Sequence, residues 1–175
     1  MHRALRMLER DGYMEQIPRR GWRMVAVTSG EIDDLFDVRE MLELRAIPLA
    51  VARVPPSHWD GVIRRTADAL RAMEAGRPVP SVLALEDALH GELARRSGNR
   101  FLAQAFEMFG RRLLRMAQAV GYGHTRAGPA ALRFHLQILR ALRRRSVREA
   151  SRTMRAHLRY GRVFMRRAWR GGGTA

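Results

Sequence analysis

The chain has 175 residues, of which 46% are hydrophobic and 29% charged, with no cysteine and a formal net charge of +16. These proportions fit a globular chain with a buried core. They exclude a disordered polymer, a disulfide scaffold and a Cys-based zinc site, so histidines and carboxylates are left as the strong metal ligands. No apolar run reaches the roughly 18 residues that cross a bilayer. Charged residues also occupy the start, where a secretory signal needs an apolar stretch, so a cytoplasmic protein with no membrane partner is expected.

The charge is unevenly spread. All 33 basic residues are Arg, and residues 1–94 carry 13 of them against 15 acids, whereas residues 95–175 carry 20 against 2. An Arg-rich half invites a nucleic-acid reading, because cations that neutralise phosphates release counterions. A solvated helical surface would look the same, since charge governs steering and solubility rather than fold. A basic, non-specific nucleic-acid-binding module therefore stands as one alternative.

In chain order, residues 3–10 put Ala4, Leu5 and Leu8 on one helical face, and Asp11-Gly12 ends that helix. Tyr13 to Glu15 and Trp22 to Val27 are β-prone and flank a turn containing Pro18, Arg19, Arg20 and Gly21, which predicts a hairpin with a basic tip. Such a tip can bring backbone close to a phosphate while its arginines enter a minor groove, although an ordinary exposed turn has the same composition. Thr28 and Glu31 have capping-box spacing and open a long helix to about Val54, with Ile32, Leu35, Phe36, Leu42 and Leu49 as its buried stripe and Pro48 as a candidate kink. Further helices are predicted from Ser57 to Ala75, Ser81 to Arg96, past Ser97-Gly98-Asn99 to Val120, then Ala130 to Arg143 and Ser146 to Arg167. Gly121 to Pro129 reads as a loop and 171–175 as a disordered tail. The expected fold is all-α: an antiparallel helical bundle over 29–170, preceded by a small hairpin-bearing unit over 1–28.

The sharpest chemical signal is Glu86-x-x-x-His90. Residues four apart share a helical face, so a carboxylate and an imidazole can meet one ion. His135 and His157 fall in the last two predicted helices, and facing helices of a bundle can complete a site that neither builds alone. Three imidazoles and a carboxylate suit a divalent metal, zinc first, with nickel or manganese as alternatives. By spacing alone, Glu86 and His90 also fit a surface ion pair.

The stretch Arg3-Ala-Leu-Arg-Met-Leu-Glu-Arg-Asp-Gly-Tyr with Pro18-Arg-Arg-Gly21 resembles the end of the recognition helix and the wing of GntR-family winged-helix domains. Ser29 to Glu43, Leu89-His90 with Arg96-Ser-Gly-Asn99, Phe134-His135 and Met154-Arg-Ala-His157 are similar to the signatures of the helical FCD domain in the FadR-like branch of that family. The resemblance implies that 1–28 is a partial winged helix, that 29–170 is an effector-binding and dimerisation domain, and that Met1 falls inside the recognition helix, so that either the true start lies upstream or the product is a truncated regulator. It also implies a metal held by one Asp and three His. His90, His135 and His157 fall on the imidazole positions, while Glu86 stands where the family has Asp, which lengthens that ligand by a methylene. Arg39 matches a position that binds an effector carboxylate, and a salt bridge to Glu43 is its competing role. Arg3, Arg6, Arg19, Arg20 and Gly21 become the expected DNA-binding residues.

The expected function is therefore a homodimeric, effector-responsive DNA-binding transcription regulator that senses a small organic acid through a metal-containing helical domain. It is not expected to be an enzyme. A metal-dependent hydrolase or isomerase using the same ligands is the rival, against which no further general base, nucleophile or oxyanion element accompanies them.

Overall fold

A computed structural model describes residues 2–10, 13–25, 28–80, 82–119 and 127–172. The first helix, α1 (His2–Arg10), leads into an antiparallel hairpin of β1 (Met14–Ile17) and β2 (Gly21–Met24). The strands pair Met14 with Met24 and Ile17 with Gly21, a narrower block than the sequence predicts at its far end. Pro18, Arg19 and Arg20 fill the turn, and Gly21 starts the return strand at φ +96°, a conformation open to glycine without strain. The hairpin extension predicted for Ala26-Val27 lies outside the described residues. Met7, Leu8 and Met24 are exposed, and every buried apolar residue among those described comes from Ile32 onwards.

The bundle starts at α2 (Ser29–Arg53), where the Thr28 hydroxyl accepts the Glu31 N–H at 3.1 Å as the capping spacing predicts. Its buried stripe runs through Ile32, Leu35, Phe36, Arg39, Glu43, Ala46, Ile47, Ala50 and Val51. Leu42 and Leu49, expected on that stripe, flank it half-buried. A helical period of 3.6 therefore places two charged residues, Arg39 and Glu43, in the middle of an otherwise apolar face. A 3-10 turn (Pro56–Trp59) follows and buries Trp59 before α3 (Asp60–Glu74).

Next comes a helical rod made of α4 (Val82–Glu86), a π-helical turn (Asp87–Gly91) and α5 (Glu92–Arg96). The Ser97-Gly98-Asn99 break has a clear local chemistry. Gly98 takes φ +67° and ends the rod, and the Asn99 side chain then accepts the Phe101 and Leu102 N–H groups, both at 3.1 Å, to open α6 (Arg100–Ala119). The loop predicted over Gly121 to Pro129 falls partly outside the described residues, and α7 (Ala127–Arg143) starts earlier than expected, with Pro129 inside its first turn. Proline is tolerated there because first-turn N–H groups have no helical partner anyway. A tight turn at 144–146 then reverses the chain into α8 (Val147–Gly172), which runs past the predicted end at Arg167 and into the segment read as a tail.

Helix α2 packs against α5, α6 and α8, and α7 packs against α3 and α8. The core between them holds Ile47, Trp59, Leu89, Leu93, Ile138, Leu139, Met154 and Leu158. No helix of the described residues is long and apolar enough to cross a membrane.

Candidate metal centre

Four side chains from three places in the chain converge inside the bundle. Glu86, at the end of α4, His90 in the π-helical turn, His135 on α7 and His157 on α8 each offer one ligand atom, and these atoms all lie within 4.8 Å of one another. The three imidazoles are buried, while the Glu86 side chain keeps 21% of its surface exposed. The surface-pair alternative for Glu86 and His90 is therefore corrected. The antiparallel α7–α8 hairpin brings His135 opposite His157, and the π-helical turn carries His90 toward both.

The spacing between the donors tests whether an ion fits. His90 Nε2 lies 3.1 Å from His157 Nε2 and 3.3 Å from His135 Nε2, and His135 Nε2 lies 3.2 Å from Glu86 Oε1. Neighbouring ligands around an ion with bonds near 2.0–2.1 Å are about 2.9–3.4 Å apart, from octahedral to tetrahedral geometry. The Nδ1 atoms of His135 and His157 are buried without a protein partner, so the Nε2 edges facing the cluster carry the polar contacts of those rings. The donor types suit a divalent cation and these three separations match its shell, while His90 Nε2 and Glu86 Oε2 stand slightly wider at 3.6 Å.

Around these four lies a second layer. The Nδ1–H of His90 donates to Glu43, which leaves the His90 Nε2 lone pair aimed at the cluster. Glu43 in turn accepts from Arg39 Nε at 2.5 Å, and the second face of that guanidinium donates from Nη2 to Glu86 Oε2 at 3.0 Å. Arg39 thus makes the competing salt bridge to Glu43, adds one to Glu86, and also lines the neighbouring cavity. Burial, followed by repulsion from His135 and His90, pushes the His157 imidazole well below its ordinary pKa. Burial and then Arg39 outweigh Glu43 and Glu86 to push His90 down as well. Both rings are held neutral, the form that binds a metal. Burial alone would raise Glu86 and Glu43; the polar N–H edge of His90, joined at Glu86 by His135, and the Arg39 guanidinium outweigh it and hold both carboxyls below their ordinary range.

A cavity of about 560 Å³ opens beside the cluster, lined by Arg39, Glu86, His90 and His157 at its inner end and by α6 along its length. Sequence reasoning missed this contribution of α6, and it met Glu43 only as a partner for Arg39. The expected DNA-binding residues are elsewhere: Arg3 and Arg6 are exposed on α1, and Arg19, Arg20 and Gly21 are exposed at the hairpin tip. The hairpin is nevertheless tied to α6, because Arg115 donates to the carbonyls of Tyr13, at 3.3 Å, and Val25, at 2.9 Å, and stacks 5.5 Å from the Tyr13 ring.

The sequence profile of the FCD domain matches residues 34–160. The uncharacterised HTH-type transcriptional regulator YdhC of Bacillus subtilis is 22% identical over 154 residues, 88% of this chain and 68% of that protein. Among solved structures, E. coli McbR/YncC superposes with a TM-score of 0.79 at 15% identity, covering 95% of this chain and 83% of that one. Streptococcus agalactiae GntR gives 0.60 at 21% identity, over 93% and 80% of the two chains. The chain belongs to the FCD-domain family, as a transcriptional regulator of the GntR family in its FadR-like branch. The shared fold is the helical bundle with a hairpin before it.

Proposed function

We propose that this regulator is a metal-dependent sensor of an organic acid that binds operator DNA as a homodimer through the unit carrying α1 and the hairpin. The observation that carries the reading is the convergence of Glu86, His90, His135 and His157 at the inner end of a cavity. A divalent ion bound there, zinc in first place and nickel or manganese as competitors, supplies a positive centre able to accept a carboxylate. The chain's own residues do the rest. Glu43 and Arg39 hold His90 and Glu86 in place, the apolar walls exclude water, and the cavity admits a ligand of moderate size.

Helix α6 gives the reading a route to DNA. One of its faces lines the cavity, while Arg115 holds both strands at the open end of the hairpin. A ligand that prefers one position of α6 would bias the placement of the wing, and one that binds both positions equally would change nothing. In a dimer, that bias would alter the separation of two half-site readers about 34 Å apart. Arg3, Arg6, Arg19 and Arg20 would make the phosphate and groove contacts.

The test is elemental analysis of the purified chain alongside His135→Ala and His157→Ala. About one divalent ion per chain is expected in the parent and a large loss in both variants. Unchanged metal content in both variants would remove the site.

A further inference from the structure

The cavity is larger and more apolar than a short polar acid requires. Its 560 Å³ equals the space of roughly nineteen liquid waters at about 30 Å³ each. A short hydroxy acid has the bulk of only a few. The wall is also graded in polarity. Its inner end holds Arg39 and the metal cluster, whereas its exposed mouth is edged by two ion pairs, Arg111 with Glu107 at 3.8 Å and Arg95 with Asp87 at 3.0 Å.

Most of the remaining lining is apolar, with Gln104, Glu107 and Arg111 interleaved along α6. Phe106, Gly110, Leu113 and Ala117 of α6 line the void at spacings of four, three and four residues, which is one helical face. Phe36 of α2 and Met165 of α8 complete that lining. Phe106 and Leu113 are only half-buried, although they pack against the core. Gly110 is the informative position. A glycine in a helix interior weakens the helix relative to alanine. A Cβ added there would meet nothing within 4 Å, so no crowding requires the glycine; its missing side chain leaves room in the cavity.

We infer that the cavity takes a monocarboxylic acid with an extended apolar body, linear or aryl-capped. Its carboxylate lies at the inner charged end and its chain against the α6 face. This rests on the sensor reading above and narrows the acid it senses. A short polyhydroxy or dicarboxylic acid would leave the Phe106 and Leu113 face without an apolar partner, so it is disfavoured relative to an acid with an apolar chain.

The experiment is calorimetry on the zinc-loaded full chain with butyrate, hexanoate, octanoate, 3-phenylpropionate, lactate and malate, repeated on Gly110→Phe and Gly110→Ala. Each added methylene should tighten binding roughly fourfold up to octanoate. Gly110→Phe should weaken octanoate at least tenfold while leaving butyrate within twofold and zinc content unchanged. If that variant fails to fold, the chain-length series on the parent decides alone, and Gly110→Ala gives the smaller shift of the same sign. Binding of lactate or malate without octanoate or 3-phenylpropionate would overturn this inference and leave the sensor reading intact. No binding by any acid to zinc-loaded protein would overturn both. Octanoate binding that ignores a folded Gly110→Phe would overturn the placement along α6.

Discussion

Arg23 pairs with Glu15 across the hairpin with side chains 66% and 46% exposed, whereas Arg39 pairs with Glu43 inside the bundle at 7% and 1%. Both are an arginine beside a glutamate, yet water sets their value. The exposed pair exchanges hydration for a screened contact and gains little. The buried pair has left water at a cost that its own attraction barely offsets, so it persists as one part of a connected set. Arg39 answers both Glu43 and Glu86, and Glu43 answers both Arg39 and His90. The hairpin is an outlying unit whose charges face solvent. The bundle spends hydrophobic positions on charges in order to orient imidazoles.

The largest expected effect comes from opening the buried set. Glu43→Ala leaves Arg39 without its nearest carboxylate and His90 without its acceptor, and should cost about 3–5 kcal/mol in chemical denaturation. Glu43→Gln keeps an acceptor for His90 and should cost less. Equal losses in the two variants would show that charge alone matters at this position.

Acidification of the chelator-treated protein probes the same set without mutation. The pKa values of His90 and His157 are lowered in the fold, so below about pH 6.5 the unfolded chain takes up protons that the folded one refuses. Stability must then fall as pH drops. Glu43 and Glu86, held below the usual carboxylate range, add a loss of the same sign below about pH 4.5. A denaturation midpoint that is flat or rising from pH 7 to pH 5 would contradict the neutral, buried imidazoles.

Arg115 joins the two regions, and a two-stranded hairpin alone is marginal in water. Arg115→Ala removes two hydrogen bonds from a cation and a ring contact. Local opening of residues 14–24 should become easier by about 1–3 kcal/mol, read as faster amide exchange there with exchange in α7 and α8 unchanged. If exchange rises equally in both regions, Arg115 supports the bundle as a whole and the hairpin is not an independent unit.

The sequence shows the bundle more readily than the site. Apolar periodicity, Thr28, Asn99 and the Pro and Gly breaks locate the helices because each acts over a few residues. The pairing of Glu86 with His90 was legible because they are one turn apart, whereas His135 and His157 were singled out by their helices and by the family resemblance, and their convergence with His90 depends on how the bundle packs. The π-helical turn at Asp87–Gly91 was not legible, since an extra residue in one turn leaves no mark on an i, i+4 pattern. Nor could the apolar face of α6 reveal a cavity, because Phe106, Leu113 and Ala117 are spaced as core residues are. Whether such a face meets another helix or an open space depends on what packs opposite. The contact of Arg115 with Tyr13 and Val25 spans about 90 residues or more and has no local signature.

The smallest expected effect closes the contrast between the two regions. Glu15→Ala removes the hairpin's cross-strand partner for Arg23, but both groups already face water and the lost attraction is replaced by hydration. The change should therefore lie within about 1 kcal/mol and should shrink further in high salt, whereas the loss from Glu43→Ala should persist there because the low-dielectric interior excludes screening ions. Denaturation of both variants at low and high salt measures the two slopes together. If Glu15→Ala costs as much as Glu43→Ala, or if both respond to salt alike, burial does not divide this molecule in the way its exposed and buried arginines indicate.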